Sequence, residues 1–386
     1  MSIDQNLRQF ATAREIEYLD ALEAHGSQRK AAAALNIGRP ALQDGLRKLK
    51  ARAARRGYAP EADMHHAAPD PFIVKGVSTY YDKYGQPAGQ WVKTTLDQQK
   101  AELVVRAAVA ALAESVVRAT PVPAPEAGPA HLLNLYTITD YHVGMRSWRP
   151  ETGADFDLEI AERTLTAAFR QMVASSPRAR AAVVNQLGDF LHFDALAPLT
   201  PTAGHILDAD GRYSHVVRVA TRLLRAVIDA ALAQHEIVYV LVAEGNHDMA
   251  SSVWLRHLLA LLYEKEPRVK VIEGELPYYA HQHGEVMLAF HHGHLAKHEK
   301  LPGVFAARYA PMWGATTKRY CHTGHMHHVE EKEFPGMKVV QHPTLAAADA
   351  YAARHGYLSE REITAVTYHA KHGQVARTTV TPEMCS

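Results

Sequence analysis

Hydrophobic residues recur along this chain with two different periods. From 12 to 57 they return every three or four positions, as Ile16, Leu19 and Leu22 and then Leu42, Leu46 and Leu49, the spacing of helices that bury one face. The pattern predicts three short helices. The first stops at Gly26, and the second starts from Ser27, a suitable N-cap, and runs through Ala31–Ala34 to Leu35. A turn at Asn36-Ile37-Gly38 leads into the third, with Pro40 in its first turn, where a missing N–H costs nothing. Between 72 and 95 two β-rich runs flank a Gly/Pro turn, which predicts a hairpin. Its aromatics Tyr80, Tyr81, Tyr84 and Trp91 suit either base stacking or ordinary packing. A long helical pattern fills 96–118, and the Pro/Ala stretch 120–130 predicts an extended spacer at a domain boundary.

Beyond 131 the texture changes to alternation. Short apolar runs at 132–139, 181–188 and 236–245 predict strands, and segments at 160–174, 213–234 and 253–264 predict helices. Shorter strands begin at Val269, Val286 and Val339, and the tail after Pro343, with Tyr351 and Tyr357, is expected to supply closing strands and loops. This is the order of an α/β sandwich. The expected organisation is a helical domain over 1–60, a hairpin-and-helix connector over 61–119, the spacer over 120–130, and a catalytic domain over 131–386.

Composition narrows the picture. With 47% hydrophobic and 22% charged residues in 386, the chain is an ordinary globular one with room for two domains. No run approaches the ~20 apolar residues of a membrane helix, and the polar, amphipathic N-terminus is unlike a signal peptide. No membrane partner is expected. Two cysteines, Cys321 and Cys385, are too few for a disulfide framework and fit a reducing cytoplasm. A net charge of +1 is uninformative, but its distribution is not. The third helix and its tail carry Arg39, Arg47, Lys48, Lys50, Arg52, Arg55 and Arg56 against one acid, Asp44. Short helix, tight turn and longer basic helix form a helix-turn-helix pattern, which makes DNA the expected partner. A solvated basic face on a helical bundle or a subunit-contact domain would show the same charges.

The 25 histidines direct attention to metal chemistry. They concentrate where predicted strands stop: Asp140-Tyr141-His142, Gly188-Asp189-Phe190-Leu191-His192, Gly245-Asn246-His247-Asp248, His291-His292-Gly293-His294 and Gly324-His325-Met326-His327. In an open α/β sheet the loops beyond the carboxyl ends of strands converge. The converging donors are carboxylate, amide and imidazole with no thiolate, a set suited to Mn²⁺, Fe or Zn²⁺ rather than Ca²⁺.

This ordered series resembles the calcineurin-like metallophosphoesterase superfamily, over roughly 132–343. The resemblance implies an α/β fold, a four-layer metallophosphoesterase β-sandwich flanked by helices, here preceded by a small (winged) helix-turn-helix domain. It implies two divalent metal ions, Mn²⁺ first, with Fe, Zn²⁺ or Ni²⁺ as alternatives. One would be held by Asp140, His142 and His327, the other by Asn246, His292 and His325, with Asp189 bridging them. The family ligand directly precedes glycine, which selects His292 over His291. His294, His298, His322 and His328 fall outside the pattern and are expected beside the ligands or on the surface. The implied reaction is in-line attack on phosphorus by a hydroxide generated between two cations. His247, next to a ligand, is the candidate general acid, because imidazole suits proton transfer near neutral pH. Asp248 is expected either to orient His247 or to cap the next helix.

Substrate is less constrained. His192, three residues after the bridging Asp189, resembles a histidine of the nuclease subunits of double-strand-break repair complexes, and it would equally serve as a partner to a ligand. The arginine that protein phosphatases carry after the bridging Asp is missing, which argues against a phosphoprotein substrate. The long loop over 197–212, with His205, Asp208, Asp210 and Arg212, is a candidate substrate rim or a surface excursion. The pairing of such a helix-turn-helix with such a phosphoesterase also resembles uncharacterised proteins encoded in phages and prophages. The expected function is hydrolysis of DNA phosphodiesters. One alternative is a nucleotide or cyclic-nucleotide phosphodiesterase whose N-terminal module serves regulation or homo-oligomerisation. Another is a DNA-binding regulator with an idle phosphoesterase fold. A partner ATPase is left open.

Overall fold

A computed structural model of the chain describes residues 5–55, 58–59, 64–65, 72–81, 87–96, 118–201 and 204–385. The chain divides into two compact units, Met1–Val105 and Arg106–Ser386. No helix among the described residues is long and apolar enough to cross a membrane.

The first unit contains α1 (Ala13–His25), α2 (Gln28–Ala34) and α3 (Arg39–Arg55). A capping box starts α1: the Glu15 N–H donates to the Thr12 side chain, and the Thr12 N–H donates to the Glu15 carboxylate. Gly26 at φ +68° ends it, Ser27 caps α2, and Asn36 at φ +54° makes the turn before α3. Leu19, Leu22, Leu42 and Leu49 are buried as their spacing predicts, but Ile16 is 37% exposed. Glu15 turns inward instead, because Thr12 and Arg52 satisfy its carboxylate. The hairpin forms from β3 (Phe72–Tyr81) and β4 (Pro87–Leu96), which pair antiparallel from Phe72 opposite Leu96 to Tyr81 opposite Pro87. It follows a two-residue ladder of β1 (Tyr58–Ala59) and β2 (Met64–His65). Most of the helix expected over 96–118, Tyr84 and Arg56 lie outside the described residues.

The Pro/Ala stretch expected as a spacer is bound along the second unit. Ala119 N–H donates to Leu262 O at 2.9 Å, Val122 N–H to Glu266 Oε2 at 3.0 Å, and Arg180 N–H to Pro129 O at 3.2 Å. A Cβ at Gly128 would lie 2.6 Å from the Ala179 backbone, so the glycine permits this close approach.

Two sheets build the second unit. The first has the order β15 (Gly373–Val380), β14 (Ile363–His369), β5 (Leu132–Ile138), β6 (Ala181–Gln186), β7 (Ile237–Val242), β8 (Val269–Val271), with β5 to β8 parallel. The second has the order β12 (Glu330–Phe334), β13 (Met337–Gln341), β11 (Lys318–Thr323), β10 (Val286–Phe290), β9 (Tyr279–His283), with β10, β11 and β13 parallel. The period of two sorts their side chains. Val286, Leu288 and Phe290 of β10 meet Leu133, Leu135, Val183, Leu241 and Val366 between the sheets. Met287 and Ala289, on the other face, pack on Leu301 and Phe305 of α8 (Leu301–Arg308). Each of the larger side chains, Val, Leu, Met or Phe, contributes about 1.5–3 kcal/mol on burial. Behind the first sheet, Phe169 of α5 (Leu158–Ser175) packs on Tyr136, and α6 (Tyr213–Leu232) packs beside α5 with twelve buried residues. The layers run helix, sheet, sheet, helix.

Helix α7 (Met249–Leu262) begins four residues before the start expected at 253. The cause is Asp194, which arrives from another loop and accepts hydrogen bonds from Ala250 N at 2.5 Å and Ser251 N at 2.9 Å. Short helices α4 (Arg149–Thr152), α9 (Ala310–Ala315) and α10 (Ala350–Arg354) complete the unit.

Candidate metal centre

Parallel pairing brings the carboxyl ends of β5, β6 and β7 to one end of the first sheet and those of β10 and β11 together in the second. The chain beyond each carries the histidine-rich motifs. These loops hydrogen-bond to one another: Asp140 N donates to Gly188 O at 3.1 Å, His142 N to Asp189 O at 3.1 Å, and Gly324 N to His292 O at 2.8 Å. Six non-glycine residues among those described have positive φ, namely Asn36, Asp140, His142, Asp189, His325 and His327. Five of the six are expected ligands. Such a conformation costs of order 1–3 kcal/mol per residue and persists where the surroundings enforce it, which is characteristic of functional sites. Two glycines make room: a Cβ on Gly188 would sit 2.5 Å from the His292 ring, and one on Gly245 would sit 2.1 Å from Asp189 Oδ1.

The expected carboxylate and imidazole ligands fall into two of three adjoining donor groups among the described residues, the third being His142, His192 and His247. Asp140, His142 and His327 place donor atoms within 4.8 Å of one another, as do Asp189, His292 and His325. His327 Nε2 is 3.1 Å from Asp140 Oδ1, and His292 Nε2 is 3.1 Å from Asp189 Oδ2 and 3.8 Å from Asp140 Oδ1. Local bonds then fix which atoms remain available. Thr139 Oγ1 at 2.6 Å and His325 N at 2.9 Å both donate to Asp140 Oδ2, and His292 Nδ1 donates to Leu187 O at 2.8 Å. Asn246 Oδ1 is left buried without a hydrogen-bond partner, and Asp140 Oδ1 and His292 Nε2 face only the opposite charges of the cleft. Buried polar atoms are nearly always satisfied. Oxygen and imidazole donors gathered around one cleft fit divalent cations of the Mn²⁺, Fe or Zn²⁺ kind.

His192 stands behind His142 rather than in the cleft. Its Nδ1 lies 3.3 Å from His142 Nδ1, so one of the two rings donates to the other. With Nε2 given to a cation, His142 would carry its proton on Nδ1 and donate it to His192, the arrangement by which outer partners orient metal-binding imidazoles.

Charge in the cleft follows the same logic. Burial, with neighbouring imidazoles adding, holds His142 neutral and pulls His192 down to about 3. Burial also opposes charge on His292, but Asp189 and Asp140 outweigh it and push the imidazole up to about 10. His327 is raised against its burial by Asp140, with Asp189 and Asp349 adding. The histidine charges in turn hold Asp140 and Asp189 well below the carboxylate range despite their burial. Two carboxylates buried this deeply demand positive charge. Imidazolium protons supply it in the metal-free protein, and cations would displace them.

His247 is tied down twice, by its backbone N–H to Asp189 Oδ1 at 2.8 Å and by Nδ1 donating to His192 O at 2.9 Å. Its remaining ring nitrogen is Nε2. Asp248 takes neither of the expected roles. It makes no bond to the His247 ring and no cap bond to α7. Its buried carboxylate accepts from the N–H groups of Asp189 at 3.2 Å, Phe190 at 2.7 Å, Leu191 at 3.2 Å and Gly245 at 3.1 Å, clamping two ligand loops together.

Of the adjacent histidine pair, His292 faces the carboxylates. His291 accepts from Gly293 N at 2.8 Å and stacks on Tyr278. His294 lies 5.3 Å, ring to ring, from His292, with both nitrogens buried and unpartnered. His322 is buried in a chain with His342 at 2.8 Å and Tyr368 at 3.0 Å. His298 lies 3.3 Å from Thr323 Oγ1, and His328 Nδ1 donates to Met326 O. In the long loop, Asp210 accepts from Leu158 N at 2.9 Å and faces Arg146, so it serves the fold, while His205, Asp208 and Arg212 are exposed. Three supporting residues escaped sequence reading: Thr139, Thr344, whose hydroxyl donates to Asp140 O at 2.6 Å, and Asp194. Burial pushes the Asp194 carboxyl up to about 6.

On α3, Arg39, Arg47, Lys48 and Lys50 are exposed, with Arg47 and Lys48 both paired to Asp44. Arg52 binds Glu15 and the Phe10 carbonyl, so it ties the helices of the first unit together. The side chain of Arg55 and all of Arg56 lie outside the described residues.

No family model and no curated protein matches the sequence. Solved structures do. One is described as a novel archaeal phosphodiesterase, at 10% identity and a TM-score of 0.33, covering 64% of this chain and 99% of that one. A predicted phosphoesterase from Streptococcus pneumoniae matches at 12% identity and 0.30, over 66% and 92%. A purple acid phosphatase from yellow lupin seeds matches at 10% and 0.31, over 67% and 55%. At these scores the likeness carries no conclusion, and the functional reading depends on the donors themselves.

Proposed function

We propose that this chain is a metal-dependent phosphodiesterase acting on DNA. The observation that carries the reading is the cleft where Asp140, Asp189, His142, His292, His325 and His327 converge, five of the six in positive-φ conformations, with Asn246 Oδ1 buried beside them and unpartnered. Asp140, His142 and His327 would hold one cation, and Asn246, His292 and His325 the other, with Asp189 between them. Bound there, divalent cations supply Lewis acidity toward a phosphoryl oxygen and lower the pKa of water. The protein's own part is positional. Asp248 fixes the two loops, His192 orients the His142 ring, and His247, anchored through Nδ1, has Nε2 left to pass a proton to the leaving alkoxide.

DNA is supported by the first unit. Helices α2 and α3, with their tight turn at Asn36, have helix-turn-helix order, and α3 exposes Arg39, Arg47, Lys48 and Lys50. Carrying such a module on the same chain raises the effective concentration of DNA at the cleft. The test is hydrolysis of bis-p-nitrophenyl phosphate and of labelled single- and double-stranded DNA, with Mn²⁺ or chelator, by wild type and His247→Ala. Mn²⁺-dependent cleavage of both ester types, impaired in the variant, is the expected result. Turnover of the small diester with DNA untouched would reassign the enzyme to nucleotide or cyclic-nucleotide diesters. No turnover with metal bound would leave a DNA-binding regulator.

A further inference from the structure

The loops at the Asp140 side of the cleft expose a group of large rings that the fold does not use. The segment beyond β13 is fastened under the metal centre by Thr344 Oγ1, which donates to Asp140 O at 2.6 Å. It then runs through Ala348, whose carbonyl accepts from Ser147 Oγ at 2.8 Å, and through Asp349, whose carboxylate caps α10 by accepting from Ala352 N at 2.7 Å. Helix α10 is joined to α4 by Arg354 Nη2 to Glu151 Oε1 at 3.2 Å. Ser147 is followed by Trp148 and Ala348 lies three residues before Tyr351, so these two bridges bring both aromatics to one rim.

All of the rings are open to solvent: Trp148 is 65% exposed, Tyr351 63% and Tyr357 60%, with Leu358 at 91% beside them. Tyr351, His355 and Tyr357 already form a ring cluster, with centroids 4.0 Å apart for the tilted first pair and 5.8 Å for the stacked second. Single exposed apolar residues are ordinary, but large exposed rings gathered on two bridged helices beside the candidate cleft mark a binding surface. Two of the acids nearby are paired locally, Glu151 with Arg354 and Asp155 with Arg149.

We infer that Trp148, Tyr351 and Tyr357 form a stacking platform for unpaired nucleobases of a nucleic-acid strand whose phosphodiester lies at the metal centre. Any base presents a π-face, so such a platform accepts strands regardless of sequence and favours single-stranded over paired ones. The inference rests on the phosphodiesterase reading and adds its substrate form. The platform is continuous with the cleft through the Thr344 and Ser147 bonds, which is why the occupant is the substrate strand.

The test uses the full-length chain with Mn²⁺, as wild type and as Trp148→Ala/Tyr351→Ala. Three substrates are compared: bis-p-nitrophenyl phosphate, an oligothymidylate, and an abasic strand of the same length. The double variant should keep the wild-type kcat on the small diester. Its KM for oligothymidylate should rise roughly five- to a hundredfold, the range for loss of stacked bases, and its KM for the abasic strand should not change. Quenching of tryptophan fluorescence by oligothymidylate in chelator should be lost in Trp148→Ala, a readout of binding without turnover. Equal KM values for oligothymidylate in wild type and variant would overturn the platform while leaving the phosphodiesterase reading intact. Wild-type turnover of the small diester but of neither strand would also overturn it. Absence of turnover on all three substrates would remove the phosphodiesterase reading and the platform with it.

Discussion

Replacing Asp248 by asparagine tests how the two ligand loops are held. Each oxygen of this buried carboxylate accepts two backbone N–H groups, Oδ1 from Asp189 and Gly245 and Oδ2 from Phe190 and Leu191. Asparagine keeps one oxygen but turns an NH₂ toward the other two donors. Two buried N–H groups would lose their acceptor, at about 1–3 kcal/mol each, so the fold should lose about 2–6 kcal/mol. At roughly 2–4 °C per kcal/mol for a body of this size, Tm should fall by around 10 °C. Thermal unfolding by circular dichroism, in chelator and in Mn²⁺, measures this directly. Because the clamp positions Asp189 and Asn246, Mn²⁺ affinity should fall as well. The competing account is protonation, since burial, with Asp189 and Asp194 nearby, pushes the Asp248 carboxyl up to about 8. A protonated acid has the shape and donor pattern of asparagine. A Tm within about 2 °C of wild type, on the same scale, would show that Asp248 is carried protonated and refute the four-acceptor clamp.

Further outcomes are expected from the same geometry. Below about 10 His292 holds a proton in the metal-free protein, so metal binding at pH 7–9 should release protons and weaken as pH falls; calorimetry in buffers of different ionisation enthalpy reads the release. His192→Ala should lower Mn²⁺ affinity about 10–100-fold, the usual loss when a partner that orients a ligand is removed, by competition with a fluorescent chelator. Gly188→Ala combines φ +99° with a Cβ 2.5 Å from His292 and should cost at least about 1–3 kcal/mol in urea unfolding. His342 is pulled down to about 3 by burial, and His322 well below its usual value by burial and then His342. Both folded values lie below the unfolded ~6.5, so the stability they allow is complete above that pH and declines as pH falls toward 3. The slope is at most about 1.4 kcal/mol per pH unit for each histidine, and His342→Asn should flatten it in urea titrations from pH 7 to 4.

The parts of the structure legible in the sequence are those written in local pattern. Helices α5 and α6 show sustained amphipathic spacing, and β5, β6 and β7 are short apolar runs that stop at glycine-flanked donors. Strands β11 and β12 were not legible, because KRYCHT and EEKEF show no alternation and carry few apolar residues. They form through pairing with β10 and β13. Pro302, Gly303, Pro311 and Gly314 disguise α8 and α9 as loops. Asp248 sits where a cap belongs, yet three of its four partners come from a loop almost sixty residues earlier, and Asp194 arrives from that same region to do the capping. Glu15 took the inward position of Ile16 because Arg52, 37 residues away, pairs with it. Ligand type and order are local and were readable. The contact of His192 with His142 and the exposed rings at Trp148 and Tyr351 depend on loops meeting in space.

The central claim, that this cleft is a two-cation phosphodiesterase centre, is tested most directly by one titration. Metal-free protein at pH 8 receives Mn²⁺ in steps while bound metal and bis-p-nitrophenyl phosphate turnover are followed in the same sample. Binding should saturate at two ions per chain, with turnover reaching its plateau as the second site fills, and Asp189→Asn should abolish both the second binding step and the turnover. Turnover that persists in chelator, or a protein saturated with two Mn²⁺ ions that leaves the diester intact, would contradict it.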